Sequence, residues 1–273
     1  MLTHEEKQTF EEEGLVVPGY RLPDDLMGDL RALTDRVIAE TPQIPPDFLF
    51  SPHLPWAGQK DTSLSDGFMA ICHRPEILDA VESLIGPDII LWASRIFCKP
   101  ARTGLEIPWH QDGTSGWPMR PLASVAVWIA VDDSTAENGC MRYIPGSHKL
   151  GELPFEFSSR TDLAVNVEID NREFDASTAR DNVLESGQFS IHHMFLVHSS
   201  QPNLSGKRRA GFAMRVMPAT SHYDRSNVVE SPSNRYDFDL ANAPLFLLRG
   251  VDACGRNDIV TGPVESLDLK KIG

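Results

Sequence analysis

Around Ile89 the hydrophobic period of the chain changes, and that change restricts the fold more than any single motif. Before it, apolar residues recur every three or four positions; after it they alternate or run in short blocks, the patterns of helix and strand. Thr3-His4-Glu5-Glu6 has the form of a capping box, with Phe10 after it, Gly14 as a stop and Leu15-Val16-Val17 as a short strand. Asp24 to about Glu40 predicts a second helix, with Leu26, Leu30, Leu33 and Val37 at helical spacing behind an Asp cap. A third is predicted from Pro75 to Ile85, where Ile77, Val81 and Ile85 recur and Gly86-Pro87 terminates. Between these two lies Thr41 to Asp66, rich in Pro and carrying Phe48, Phe50 and Trp56. A connection that long is either a lid or substrate wall, or an ordinary packed loop.

Beyond Ile89, strands are expected at Ile89 to Lys99, Ser124 to Val131, Cys140 to Ile144, Gln188 to Val197 and Arg209 to Met217, separated by Pro/Gly/Asn/Ser turns. In the second of these, Val125, Val127, Ile129 and Val131 share one face, while Ser124, Ala126, Trp128 and Ala130 share the other. Small residues around one large aromatic suit a cavity wall better than a filled core. Helices ahead of many short strands predict a mainly β fold, a barrel or double-sheet sandwich with helices packed outside. No repeat, Rossmann or P-loop glycine pattern interrupts the 273 residues. One domain is therefore expected, helical over 1–88, β over 89–218, with an extension over 219–273 in which Pro244 to Gly250 forms a closing helix or strand.

With 25 Lys and Arg against 39 Asp and Glu, the formal net charge is −14, which opposes binding to nucleic acid or to an anionic membrane surface. The four cysteines are widely spaced and read as free thiols, and the acidic N-terminus is unlike a signal peptide, so a cytoplasmic protein is expected.

His110 and Asp112 are two positions apart, the spacing that puts both side chains on one face of a strand and within reach of one metal ion. Alone this is weak, since His4-Glu5-Glu6 and His222-Tyr223-Asp224 have the same form. A strand from Gln188 through His198, turning and returning from Arg209, would add an imidazole with a guanidinium beside it. Two His and one carboxylate on one face of a metal form the facial triad of non-haem Fe(II) oxygenases, and an arginine suits the distal carboxylate of a keto acid. On that continuous strand His192 shares the face of His198 but lies about 20 Å away, and His193 points elsewhere, so both read as wall or core residues. Alternation does not choose between Arg208 and Arg209. Arg215, Gly211 and Ala213 share the face of Arg209, and the small pair would leave room for a ligand. Arg95 and Arg215 are candidates for an anionic group of a substrate; Trp117 and Trp56 either line its pocket or pack.

Trp109-His110-Gln111-Asp112-Gly113, Trp128-Ile129-Ala130-Val131, Glu137-Asn138-Gly139-Cys140-Met141 with Ile144-Pro145-Gly146-Ser147-His148, and His198-Ser199-Ser200-Gln201-Pro202-Asn203 with Arg208-Arg209 resemble, in order and spacing, the phytanoyl-CoA dioxygenase family of Fe(II)/2-oxoglutarate oxygenases. The resemblance implies a double-stranded β-helix (jelly roll, cupin-like) with Fe(II) held by His110, Asp112 and His198. It implies 2-oxoglutarate held at its far carboxylate by Arg209 and Ser200, with Gln111 and Trp128 lining the cosubstrate pocket and His148 structural. It also implies O2 as co-reactant, ascorbate as stimulant, and hydroxylation of an unactivated C–H bond with succinate and CO2 as coproducts. The expected substrate is a small polar metabolite, with 2-aminoethylphosphonate or a secondary metabolite as candidates, because no basic surface for a full acyl-CoA is visible. The alternative is a non-catalytic jelly-roll binding or sensor protein.

Overall fold

The structure is a computed structural model that describes residues 1–55, 61–114, 116–226 and 240–262. Among the described residues there are four α-helices, three of them where apolar spacing and end signals agree. Helix α1 (His4–Glu13) carries the capping box, Glu6 N to Thr3 Oγ1 and Thr3 N to the Glu6 carboxylate, and stops at Gly14. Helix α2 (Asp24–Glu40) starts with Pro23 in the cap position, so Asp24 belongs to its first turn rather than capping it. Helix α3 (Ser63–Cys72) occupies the end of what the sequence presented as a loop, and α4 (Pro75–Ile85) begins at Pro75. The serines and the glycine at the start of α3 disguise it. Gly67 is there for packing, because a Cβ would sit 2.6 Å from Leu33 of α2.

Most of the described strands form two facing antiparallel sheets, with two small two-stranded pairs beside them, Met119–Arg120 with His222–Tyr223 and Glu156–Phe157 with Val167–Glu168. The larger runs in the order Leu15–Val16, Phe189–His193, Val125–Ala130, Arg209–Pro218, Ile89–Lys99 and Phe246–Arg249, with Leu49–Phe50 also pairing against Ile89–Lys99. The smaller runs Arg180–Asn182, Met141–Tyr143, His198–Ser200 and Ile107–His110. This is the jelly roll, with one extension beyond expectation: the helical N-terminal part lends two short edge strands, and the segment after 218 lends one.

Alternation gives the large sheet two different faces. One is aliphatic: Val125, Val127 and Ile129, with Phe212, Met214 and Val216 beside them, pack under Leu30, Phe68, Ile77 and Val81 of the helices. Burying such side chains contributes roughly 1.5–3 kcal/mol each, so this layer is the main core. The other face looks toward the small sheet. Register sets its residues in rows, Arg95–Ala213–Trp128–Ser190 and, one rung along, Ala93–Arg215–Ala126–His192. Small residues at Ala126, Ala130 and Ala213 keep this side open, as the sequence implied.

Two connections depart from expectation. Thr41 to Pro55 is packed rather than free: Leu49 and Phe50 pair with Ile96 and Arg95, and Phe48, His53 and Leu54 are buried. Trp56 lies outside the described residues. The strand expected over Gln188 to Val197 ends at His193, where Leu196 N donates to His193 O and Phe195 N to His193 Nδ1. That histidine-made turn carries the chain from the large sheet to the small one. Among the described residues no helix is long and apolar enough to cross a membrane.

Candidate active site

His110 ends one strand of the small sheet, His198 begins another, and the register makes them direct partners. Each ring is oriented by its own strand. His110 Nδ1 lies 2.9 Å from Pro108 O, and His198 Nδ1 lies 2.9 Å from Leu196 O. A carbonyl oxygen only accepts, so Nδ1 carries the proton in both rings and Nε2 keeps a bare lone pair. Burial holds both rings below the ordinary histidine pKa, and for His198 the neighbouring His110 and His192 push the same way. Both are therefore neutral ligands at pH 7.

Asp112 was expected on the strand of His110 but lies in a bend just past its end. Its backbone is fixed by Gly113 N donating to Met194 O at 2.8 Å. Burial would raise its carboxyl, but Arg215, His192 and His198 together hold it well below the usual range, so it stays ionised. Arg215 Nη2 lies 2.6 Å from Asp112 Oδ1, and His192 Nε2 lies 3.2 Å from Oδ2. Ligand atoms of His110, Asp112 and His198 all fall within 4.8 Å of one another. Two neutral imidazoles and a carboxylate, this close together, fit a non-haem Fe(II) ion with open positions.

His192 is the correction that matters most. On one continuous strand it would be far from His198, but because the chain changes sheets after His193 the two rings come together, 4.9 Å between centroids and tilted by 55°. No Gly or Pro marks that turn, so the sequence carried no signal of it. His193 points the other way, packing at a tilt against His148 with 5.2 Å between ring centroids, and His148 Nε2 donates to Glu11 O.

Arg209 and Arg208 diverge. Arg208 reaches outward to Asp132 and Asp35. Arg209 is buried, donates to Gly139 O at 2.7 Å and to Ser200 Oγ at 3.3 Å, and lies over the Trp128 ring. Burial lowers its pKa to about 10, which leaves it charged at pH 7. Among the described residues no carboxylate lies within ion-pair distance of it. A buried guanidinium in that state is poised for an anion. Arg209, Ser200 and Trp128 line a cleft that also holds the three potential ligands, His192 and Arg215.

Three expected site residues do something else. Gln111 was assigned to the cosubstrate pocket, but its Nε2 donates to Gly151 O and Phe195 O and its Oε1 accepts from Leu153 N, which clasps three segments behind the site. Arg95 is buried and sandwiched by Phe50 and Phe97, and its Nη2 is taken by Asp47 O and Ala164 O, so it ties loops together instead of facing the cleft. Trp117 packs edge-on against Trp92 at 4.5 Å, with the Arg215 guanidinium carbon 5.9 Å from its ring.

Comparison with known proteins agrees with this geometry. The family model for phytanoyl-CoA dioxygenase (PhyH) matches residues 10–211. The peroxisomal phytanoyl-CoA dioxygenase of Bos taurus is 32% identical over 158 residues, 56% of this chain and 46% of that protein. Its Mus musculus counterpart is 27% identical over 228 residues, 77% of this chain and 67% of that protein. The match thus spans about half the length of the bovine protein. Among solved structures, the apo form of ThoJ, a non-heme monooxygenase, superposes with a TM-score of 0.70 at 29% identity, covering 95% of this chain and 88% of that one.

Proposed function

Because the chain belongs to the phytanoyl-CoA dioxygenase family, we propose that it is an Fe(II)/2-oxoglutarate-dependent dioxygenase that hydroxylates an unactivated C–H bond of a small polar metabolite. The observation that carries this reading is the convergence of two bare imidazole Nε2 atoms and an ionised carboxylate beside a buried arginine that has no carboxylate partner among the described residues.

His110, Asp112 and His198 would hold the metal, and Arg209 with Ser200 would hold the far carboxylate of 2-oxoglutarate against Trp128. When bound, metal and keto acid supply the oxidising chemistry, in which 2-oxoglutarate and O2 yield succinate, CO2 and the oxygen atom inserted in the substrate. The chain contributes orientation: each histidine is aimed by its own backbone, and the aliphatic and aromatic lining of the cleft, Ile107, Met141 and Phe97, keeps water away.

An anionic group, as in a phosphonate such as 2-aminoethylphosphonate or an acidic secondary metabolite, would meet the Arg215 guanidinium, which lines the cleft. The four unpaired thiols support a reducing compartment, the cytoplasm, as the place of action, and ascorbate is expected to sustain turnover.

Purified protein supplied with Fe(II), ascorbate, 2-oxoglutarate and O2 should form succinate, and under anaerobic conditions should show the visible metal-to-ligand band of the Fe(II)·2-oxoglutarate complex. His110→Ala and His198→Ala should each abolish that band. Its survival in either variant refutes the ligand assignment, and absence of both succinate and 2-oxoglutarate binding favours the non-catalytic binding protein.

A further inference from the structure

We propose that Arg215 and His192 are positioning residues, two arms that fix the direction in which Asp112 presents its carboxylate to the metal; this rests on the ligand reading above. Asp112 lies past the end of its strand, so no ladder sets its side-chain direction. The direction comes from the opposite sheet. There Arg215 and His192 are cross-strand neighbours on either side of Ala126, on the face turned toward the site. Ala126 between them is small, and Asp112, in the bend after the small-sheet strand, meets both arms. Each arm takes a different oxygen, Arg215 Nη2 at 2.6 Å from Oδ1 and His192 Nε2 at 3.2 Å from Oδ2. One donor per oxygen fixes both the tilt and the rotation of the group, and each oxygen keeps a lone pair for a metal.

The arms are themselves held. Arg215 sits at a bulge in its long strand, with Trp117 beneath its guanidinium at 5.9 Å, and His192 is pinned in a central ladder next to Ser190 and Ile191. Among the described residues neither belongs to a wider ion-pair network: Arg215 Nε and His192 Nδ1 are buried without partners there, and Asp112 is the carboxylate each one meets. Loss of an outer partner of a metal ligand commonly weakens binding 10–100-fold.

The test is Co(II) titration of the full-length protein by calorimetry, with the ligand-field spectrum recorded at saturation. Arg215→Met should raise the Co(II) dissociation constant roughly 10–100-fold and alter the spectrum, and Arg215→Lys should recover part of the loss. His192→Leu should act in the same direction, and His192→Gln, which retains a donor, should recover it. A role confined to folding would change melting temperature while leaving the saturated spectrum as in the wild type, and would overturn the proposal. Affinity within two-fold of the wild type in Arg215→Met, or tighter, also overturns it. If that variant does not fold, the His192 pair decides by the same criterion. The ligand reading fails separately: wild-type protein that takes up no Co(II), or Asp112→Ala that binds it as tightly, refutes the metal centre itself.

Discussion

Gly211 was expected to leave space for a ligand, and the structure fills that space with Trp128. A Cβ at 211 would meet Trp128 Cζ2 at 2.0 Å, Cε2 at 2.4 Å and Cη2 at 2.6 Å, all on the benzo ring of the indole. Contacts this short require movement, and backbone relief is blocked because Gly211 is paired on both sides, to Phe97 and Ala130. The indole must therefore shift, which disturbs its place beside Arg209, whose guanidinium carbon lies 5.4 Å from the ring centroid. Overpacking of this kind costs about 1–3 kcal/mol. At roughly 2–4 °C per kcal/mol for a chain of this size, Gly211→Ala should melt about 2–12 °C lower than wild type. It should also need more 2-oxoglutarate for half-saturation of the anaerobic Fe(II) band. Trp128→Phe removes the offending ring atoms at a cost of roughly 1–2 kcal/mol, a fraction of a full truncation. The double variant should then be more stable than the sum of the single losses by about 1 kcal/mol or more. Thermal melts of the four proteins decide the matter: a Gly211→Ala melt within 1 °C of wild type, or strictly additive losses, refutes the packing argument.

Arg209→Ala should raise the 2-oxoglutarate requirement at least tenfold while leaving the substrate requirement nearly unchanged. Arg208→Ala should leave both unchanged and cost about 1 kcal/mol from the partly exposed pairs with Asp132 and Asp35; steady-state kinetics with the roles reversed would contradict the structure. His53 provides a pH test away from the site. It is buried, with Nδ1 bonded to Ser94 Oγ, and burial pushes its pKa down to about 3, so the unfolded chain takes up that proton first as pH falls. Stability is therefore complete above about pH 6.5 and declines toward pH 3, by up to about 5 kcal/mol from this residue. Urea unfolding at pH 8 and pH 4 should show a markedly smaller difference for His53→Phe than for wild type, and an identical difference would rule out this residue as a source.

Helices α1, α2 and α4 could be read from the sequence because their apolar spacing and end signals agree, and the open face around Trp128 could be read from strict alternation. The His-x-Asp pair was visible too, though its geometry was not: the side-by-side placement assumed a strand where the chain bends. Helix α3 was hidden by a glycine chosen for contact with Leu33, a tertiary reason that leaves no local trace. His192 was hidden because a histidine ring does the work of a turn residue at His193, inside an apolar run with no breaker. Gln111 adjoins both ligands in sequence, yet its partners lie far along the chain at Gly151, Leu153 and Phe195, so only the folded chain reveals its role. Arg208 and Arg209 separate once register assigns one to each face.

The pairing of His110 with His198 across a single rung makes the centre a checksum on the sheet. A one-residue slip of either strand would turn one imidazole to the opposite face and leave a lone nitrogen where two are needed. The ladder is already irregular just beyond this rung, where Ser200 faces Ile107, so the pairing depends on a local geometry that a slipped strand would not reproduce. An ion that needs both rings binds the correctly paired chain alone and draws the population toward it by mass action. Metal uptake during refolding would then report how much of the protein has its strands in register, before any substrate is known.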